Sequence, residues 1–310
     1  MNVKEYLQRI NYSGDVAPTS SNLRKICVAH MLAVPYENLD VFGGPPITID
    51  LPKLFEKIVK QRRGGFNFEL NRMFCWLLQN LGYQVSLYKA DVYNMKLDAF
   101  TYTQPALVVT VDDGSKYFTD IAFTCGTSLT EPLNFEYLTE QAQKLGVFRL
   151  RECGKTSFYF ELKWFHVVDS TGEVNPATDI EFCFGESKYR SKGWIILYKV
   201  SMDRQCTWDE LVPELERFLN NNEKWMTRNT ICAINRGSSV TVLWGKYLIQ
   251  KYIREDQQRG DNLTVSRTFM ELSDFPAILE IIRCVFGMKS FTQEFTPIAE
   301  DITTRPIVIY

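Results

Sequence analysis

Apolar residues in this chain change their period near residue 84: before it they recur every three or four positions, and after it every second position. In the first third, Leu23, Ile26, Cys27, His30 and Met31 share one helical face, with Ser20 or Ser21 placed to cap it. A second helix is expected after Asp50, with Leu54, Phe55, Ile58 and Val59 turned inward. A third follows Gly65 and carries Leu70, Phe74, Leu77, Leu78 and Leu81, with Gly82 placed as the residue that ends it. No charge falls between Met73 and Leu78, so this third helix reads as central and buried.

Beyond residue 84, QVSLYKADVY, ALVVTV, KYFTDIAF, VFRLRE and FYFELKWF read as strands, with Asp112-Asp113-Gly114-Ser115 as a hairpin turn between the second and third. The stretch 170–195 reads as loop. Thr207-Trp208-Asp209-Glu210 has the form of a capping box and opens a helix with Leu211, Leu215, Phe218 and Leu219 on one side. SVTVLWG and LTVSRTFMEL follow as strands, and a last helix is expected from Phe275 to Phe286 with Ser273 as cap. Helices, then an antiparallel sheet or barrel, then a mixed part make an α+β protein in three segments. We place these at 1–83, 84–195 and 196–310.

Composition narrows the function without naming it. At 310 residues the chain is long for a single core, and 45% apolar with 23% charged residues is ordinary globular usage. A net charge of −2 gives no electrostatic footprint for nucleic acid or a membrane surface, so neither is expected as a partner. No apolar run has the length of a membrane span, and MNVKEYLQRI lacks the basic-then-apolar layout of a signal peptide. The eight cysteines contain no C-x-x-C pair, which argues against a zinc site or disulfide scaffold and for reduced thiols in the cytoplasm. No metal site is expected. Two N-x-S/T sequons, at Asn11 and Asn262, carry little weight without a secretion signal.

The chemistry concentrates in Arg63-Gly64-Gly65-Phe66-Asn67-Phe68-Glu69-Leu70-Asn71. A glycine pair runs into a buried helix, and Asn67 stands at the helix start, where backbone N–H groups best stabilise an anion. An enzyme places a thiolate or oxyanion there; this chain has an amide.

That turn, together with Val34-Pro35-Tyr36-Glu37-Asn38-Leu39-Asp40, a later strand ending in Asp120 and the Ser187-Lys188-Tyr189-Arg190 stretch, resembles the arylamine N-acetyltransferases from end to end. The resemblance implies a three-domain fold with a cysteine-protease-like core: a helical bundle, a β-barrel with an insertion before residue 190, and an α/β lid. It also implies a Cys-His-Asp triad that passes an acetyl group from acetyl-CoA to an arylamine or hydrazine. Laid onto this chain, the cysteine position is Asn67, the histidine position, at the start of the second barrel strand, is Gln104, and the aspartate is Asp120.

Asn67 cannot hold a thioester, and Gln104 cannot move a proton, so the covalent route is lost at this site. Neither histidine replaces the lost one: His30 reads as a helical core residue and His166 as a strand residue. The two amides keep their hydrogen-bonding capacity, and an Asn67–Gln104–Asp120 chain is expected in which Asp120 accepts from the Gln104 amide. Asn67 as a plain N-cap of the central helix is the rival reading. Arg63, Gly64, Gly65, Glu37 and Asn38 read as structural, a charged side chain pinning a tight turn to the bundle.

Phe66 and Phe123 are expected to flank the cleft; by the resemblance Ala122 and Thr124 stand where the family has glycines and narrow the acceptor pocket, with Cys125 near the cleft mouth. Cys125 reads either as a loop thiol or as a displaced nucleophile, and Cys75, further down the central helix, as core. Three functions remain open. One is a pseudoenzyme whose cleft binds a small molecule such as an aromatic amine. The second is a repurposed enzyme with Asp120 as base, and the third an acetyltransferase working by direct transfer or through Cys125. No covalent cofactor is expected; acetyl-CoA or another acyl-CoA comes only from the resemblance.

Overall fold

The computed structural model describes residues 1–95, 97–122, 129–163, 165–167, 189, 191, 193–220, 225–255 and 263–297. The chain opens with helices α1 (Val3–Arg9), α2 (Ser20–Ala33), α3 (Leu51–Leu54), continued by a π turn over Phe55–Lys60, and α4 (Asn67–Asn80). Asp50 caps α3 through its side chain to the Lys53 N–H, as its place in the sequence suggests. The cap of α2 is Thr19, one residue before the serines expected to supply it, and its hydroxyl accepts from the Asn22 N–H. α4 is buried nearly all round, and Gly82, at φ +92°, turns the chain just beyond it, where only glycine is unstrained.

The next strands form one eight-stranded, nearly closed barrel in the order β5-β4-β3-β2-β10-β8-β7-β6. Its members are β2 (Gln84–Asn94), β3 (Ala99–Thr110), β4 (Lys116–Thr119), β5 (Leu133–Asn134), β6 (Gln141–Gln143), β7 (Gly146–Glu152), β8 (Ser157–Lys163) and β10 (Trp194–Ser201). The β3–β4 hairpin turns where Asp112 to Ser115 predicts it, with Gly114 at φ +84° and its N–H bonded to the Val111 carbonyl at 3.0 Å. β10 runs across residues 195–196, where a segment boundary is expected, and lies between β2 and β8. Its apolar run is buried on both faces, so it lacks the alternation that marks a strand in sequence.

A second sheet has the order β1-β11-β12-β13-β14-β9, from β1 (Tyr36–Glu37), β11 (Ile231–Asn235), β12 (Ser239–Trp244), β13 (Tyr247–Glu255), β14 (Leu263–Glu271) and β9 (Phe165–Val167). Between the sheets come α5 (Val212–Leu219) and a short turn, α6 (Trp225–Arg228); α7 (Phe275–Cys284) follows the last strand. The Thr207 hydroxyl accepts from the Glu210 N–H at 3.3 Å, so the capping-box residues pair as expected, although a 3₁₀ turn over Asp209–Leu211 precedes the helix. The cap of α7 is Asp274, not Ser273; its carboxylate accepts from the Ala277 N–H. A carboxylate at this position satisfies an orphan donor and complements the helix dipole.

The fold meets at the Arg63-Gly64-Gly65 turn. The Gly65 carbonyl accepts from the Glu37 N–H at 2.9 Å, and the Gly65 N–H donates to the Pro35 carbonyl at 3.3 Å. A Cβ on Gly64 would stand 2.2 Å from the Pro35 carbonyl oxygen, so only glycine allows this approach. Asn38 carries the contact onward: its amide donates to the Asn229 carbonyl at 2.8 Å and accepts from the Ile231 N–H at 2.7 Å. The start of α4 is thereby tied to the second sheet through backbone and amide bonds.

Candidate functional site

Two buried polar clusters flank the first turn of α4. The first is ionic. The Arg63 guanidinium donates to Glu37 Oε1 from Nε at 3.0 Å and from Nη2 at 2.7 Å, and to Asp40 Oδ1 from Nη2 at 2.8 Å. Lys57 Nζ lies 2.7 Å from Asp40 Oδ2 and 2.8 Å from Glu69 Oε2. Burial opposes ionisation of Glu37, but Lys57 and Arg63 outweigh it and hold its pKa below the ordinary value. For Glu69 burial prevails over Lys57, and its pKa is raised. Glu69 Oε2 also accepts from the Phe66 N–H at 2.8 Å, which ties this cluster to the helix start.

The second cluster is built from amides. Asn67, Gln104 and Asp120 are brought together and are 4%, 1% and 3% exposed. Asn67 Nδ2 donates to Gln104 Oε1 at 3.0 Å, and Gln104 Nε2 donates to Asp120 Oδ2 at 3.3 Å. Asp120 follows directly after β4, whereas Gln104 lies within β3 and not at its start, because β3 begins at Ala99. Asn67 is the first residue of α4 and not its cap; the N-cap is Phe66, and the Asn67 side-chain oxygen Oδ1 accepts from the neighbouring Phe68 N–H at 3.0 Å. The Phe66 N–H donates to Glu69, and the Asn67 amide reaches across to the barrel.

Sequence reasoning passed over two members of this cluster. Asn71 Nδ2 donates to Asp120 Oδ1 at 3.2 Å, and the Tyr198 hydroxyl, from β10, donates to Asp120 Oδ2 at 2.8 Å. Asn71 lies one helical turn beyond Asn67, a spacing that places both on one face and could have flagged it. Tyr198 carries no such signal, since 78 residues separate it from its partner. With the Ala122 N–H at 3.0 Å from Oδ1, each Asp120 oxygen accepts two bonds. Burial raises the Asp120 pKa, against donation from Ala122, Tyr198 and Asn71.

Aromatic rings pack beside the start of α4. Phe66 is fully buried, with its ring 5.2 Å from that of Phe218 on α5, and Phe218 packs edge-on against Tyr102 of β3 at 4.8 Å. Phe123, Thr124 and Cys125 lie outside the described residues, as do Ser187, Lys188 and Arg190. His30 is in the helical core, its Nε2 3.0 Å from the Tyr6 hydroxyl, and burial lowers its pKa to about 3. His166 belongs to β9, in register with Thr264. Cys75 is buried within α4, and burial raises its pKa to about 11, so it is a neutral thiol. Among the described residues no group of His, Cys, Asp and Glu is arranged to hold a metal ion, and no helix is long and apolar enough to cross a membrane.

Comparison with known proteins places this architecture. A family model described as N-acetyltransferase matches residues 19–289. The pineal gland arylamine N-acetyltransferase isozyme NAT-3 of Gallus gallus is 34% identical over 187 residues, which are 59% of this chain and 64% of that protein. Arylamine N-acetyltransferase 2 of Mus musculus is 23% identical over 292 residues, covering 93% of this chain and 94% of the relative. The chain thus aligns with a little under two thirds of the chicken protein and nearly all of the mouse one. The structure of Mycobacterium marinum arylamine N-acetyltransferase in complex with CoA superposes with a TM-score of 0.71 at 25% identity, over 93% of each chain. The chain belongs to the arylamine N-acetyltransferase family and has its α+β fold.

Proposed function

We propose that this protein keeps the acetyltransferase fold as a ligand-binding scaffold and has lost ping-pong acetyl transfer. The observation that carries this reading is the buried hydrogen bond from Asn67 Nδ2 to Gln104 Oε1. By the family resemblance these residues stand at the cysteine and histidine positions of a catalytic triad. Neither ionises, so neither can serve as nucleophile or base. Triad members act as a unit, and Asp120 alone does not replace them.

A repurposed enzyme with Asp120 as base is less well supported. Four donors occupy the two oxygens of that carboxylate, which leaves no lone pair directed at a substrate. Under the binding reading the ligand is a small molecule such as an aromatic amine, with acetyl-CoA or another acyl-CoA as the second candidate. The CoA complex of the Mycobacterium marinum relative motivates the latter. Six free thiols among the described residues accord with a reducing, cytoplasmic setting.

The test is arylamine acetylation by the parent protein and by Asn67→Cys/Gln104→His. The reading expects no turnover from the parent and measurable turnover from the double variant. Turnover by the parent, with acetyl-enzyme formed at Cys125 or without any, would overturn it.

A further inference from the structure

α2 is apolar on two opposite faces. Leu23, Ile26, Cys27, His30 and Met31 are buried on the inner one, where the His30 ring lies 5.1 Å from that of Phe74 on α4. Lys25, Val28, Ala29 and Leu32 share the outer one, at the same spacing of three and four residues. A surface helix ordinarily turns charged and polar residues to solvent there. Here Val28 is 36% and Leu32 41% exposed, and both line a groove of about 550 Å³. That volume falls within the range of small-molecule pockets, roughly 300 to 1,000 Å³. The body of the helical bundle separates this groove from the amide cluster at the start of α4.

Ile10, Asn11 and Tyr12, where the chain leaves α1, form the other wall. Asn11 makes the turn at φ +54°, a conformation asparagine tolerates. Arg9 pins the two walls together: its Nη1 donates to the Ala33 carbonyl at 2.8 Å and its Nε to the Ile58 carbonyl at 2.9 Å. The Tyr12 hydroxyl donates to the Asp15 carbonyl at 2.6 Å, which fixes the ring. The groove is thus formed in advance of any ligand, and a preformed site binds without the cost of ordering its walls. Its polar groups are unequally satisfied. Arg24 is held by Glu131 at 2.5 Å and Asn134 at 3.1 Å. The Asp15 carboxylate accepts from the Asn22 amide at 2.9 Å and the Ala17 N–H at 3.1 Å. Among the described residues Lys25 has no ion-pair partner and the Asn11 amide no hydrogen bond.

We propose that this groove binds a straight-chain aliphatic carboxylate, its tail along Ile10, Val28, Ala29 and Leu32 and its head group on the Lys25 ammonium and the Asn11 amide. An apolar strip that ends in a free cation and a free amide donor matches a molecule with one hydrocarbon tail and one anionic acceptor. The tail gains from leaving water, and the carboxylate selects the end of the groove at which it sits. The site depends on no group of the amide cluster, so it stands apart from the reading of that cluster as a lost triad.

Calorimetric titration of the full chain with hexanoate, octanoate and decanoate at neutral pH, beside uncharged 1-octanol, tests this. Affinity should rise roughly two- to fourfold with each added CH₂, and octanoate should bind at least about fivefold more tightly than 1-octanol. Lys25→Gln should remove the preference for the carboxylate, and Leu32→Gln should weaken every member of the series. Both positions are exposed, so the melting temperature without ligand should hold in each variant. No binding, no gain with chain length, equal binding of octanoate and 1-octanol, or binding that survives Leu32→Gln would overturn the proposal. A dimer of the parent that Leu32→Gln dissolves, without octanoate binding, would give the groove to a second copy of the chain and overturn it as well. None of these outcomes touches the loss of acetyl transfer, which the acetylation assay reads separately.

Discussion

The two clusters around the first turn of α4 are built on one nine-residue segment, yet they differ in kind. On one side Arg63 and Glu69 join Glu37, Asp40 and Lys57 in a buried network of full charges. On the other, Asn67 and Asn71 join Gln104, Tyr198 and a single carboxylate through neutral donors. The ionic side holds the turn against β1 and so keeps the family fold. The amide side occupies the place where the family resemblance expects nucleophile and base. Adjacent residues of one segment thus serve two different clusters: Arg63 and Glu69 belong to the ionic clasp, and Asn67 and Asn71 to the amide cluster.

The ionic side should be the more costly to break. Arg63→Ala strands Glu37 and Asp40 without their fork, and removing one partner of a buried pair costs about 3–5 kcal/mol. Urea unfolding should show that loss; a change below about 1 kcal/mol would mean that the cluster is solvated and structurally idle.

As pH falls, acid should act first through a residue in neither cluster, and through Glu37 only below its ordinary pKa of 4.5. Burial takes the His30 pKa from 6.5 down to about 3, so the folded state keeps the ring neutral while the unfolded state protonates it. The stability held above pH 6.5 is therefore lost as pH falls toward 3, at up to about 1.4 kcal/mol per pH unit. Denaturation midpoints across that range should fall with this slope in the parent and less steeply in His30→Gln. Equal slopes would return acid sensitivity to the clusters.

Smaller effects sharpen the comparison. Gly64→Ala drives a methyl group into the Pro35 carbonyl and should cost about 1–3 kcal/mol in urea unfolding without removing any charge. Asn67→Ala takes away the donor to Gln104 Oε1 and should cost about 1–2 kcal/mol. If Asn67→Ala proves worse than Arg63→Ala, the ranking of the two sides is wrong.

Much of this layout was legible in the chain itself. The glycine pair, the charge-free run from Met73 to Leu78 behind it and the alternation of β2 announce the start of α4, its burial and the barrel. The Asn67–Gln104–Asp120 contact followed from a resemblance and not from any local rule. What stayed hidden has physical causes. β10 is buried on both faces and shows no alternation, so Tyr198 had no visible route to Asp120. Asn67 read as an N-cap because asparagine favours that place, yet the helix starts one residue earlier, with Phe66 as cap, and the Asn67 amide donates to Gln104 instead. Thr19 and Asp274 took the capping roles expected of neighbouring serines, a shift of one residue that sequence patterns do not resolve.

The central claim is that the amide side forms no acyl-enzyme. Intact-mass spectrometry after incubation with acetyl-CoA tests it most directly, with Asn67→Cys/Gln104→His alongside. The account predicts an unmodified parent chain and one acetyl group on the double variant, at residue 67. An acetyl group on the parent, at Cys125 or any other residue, would contradict it.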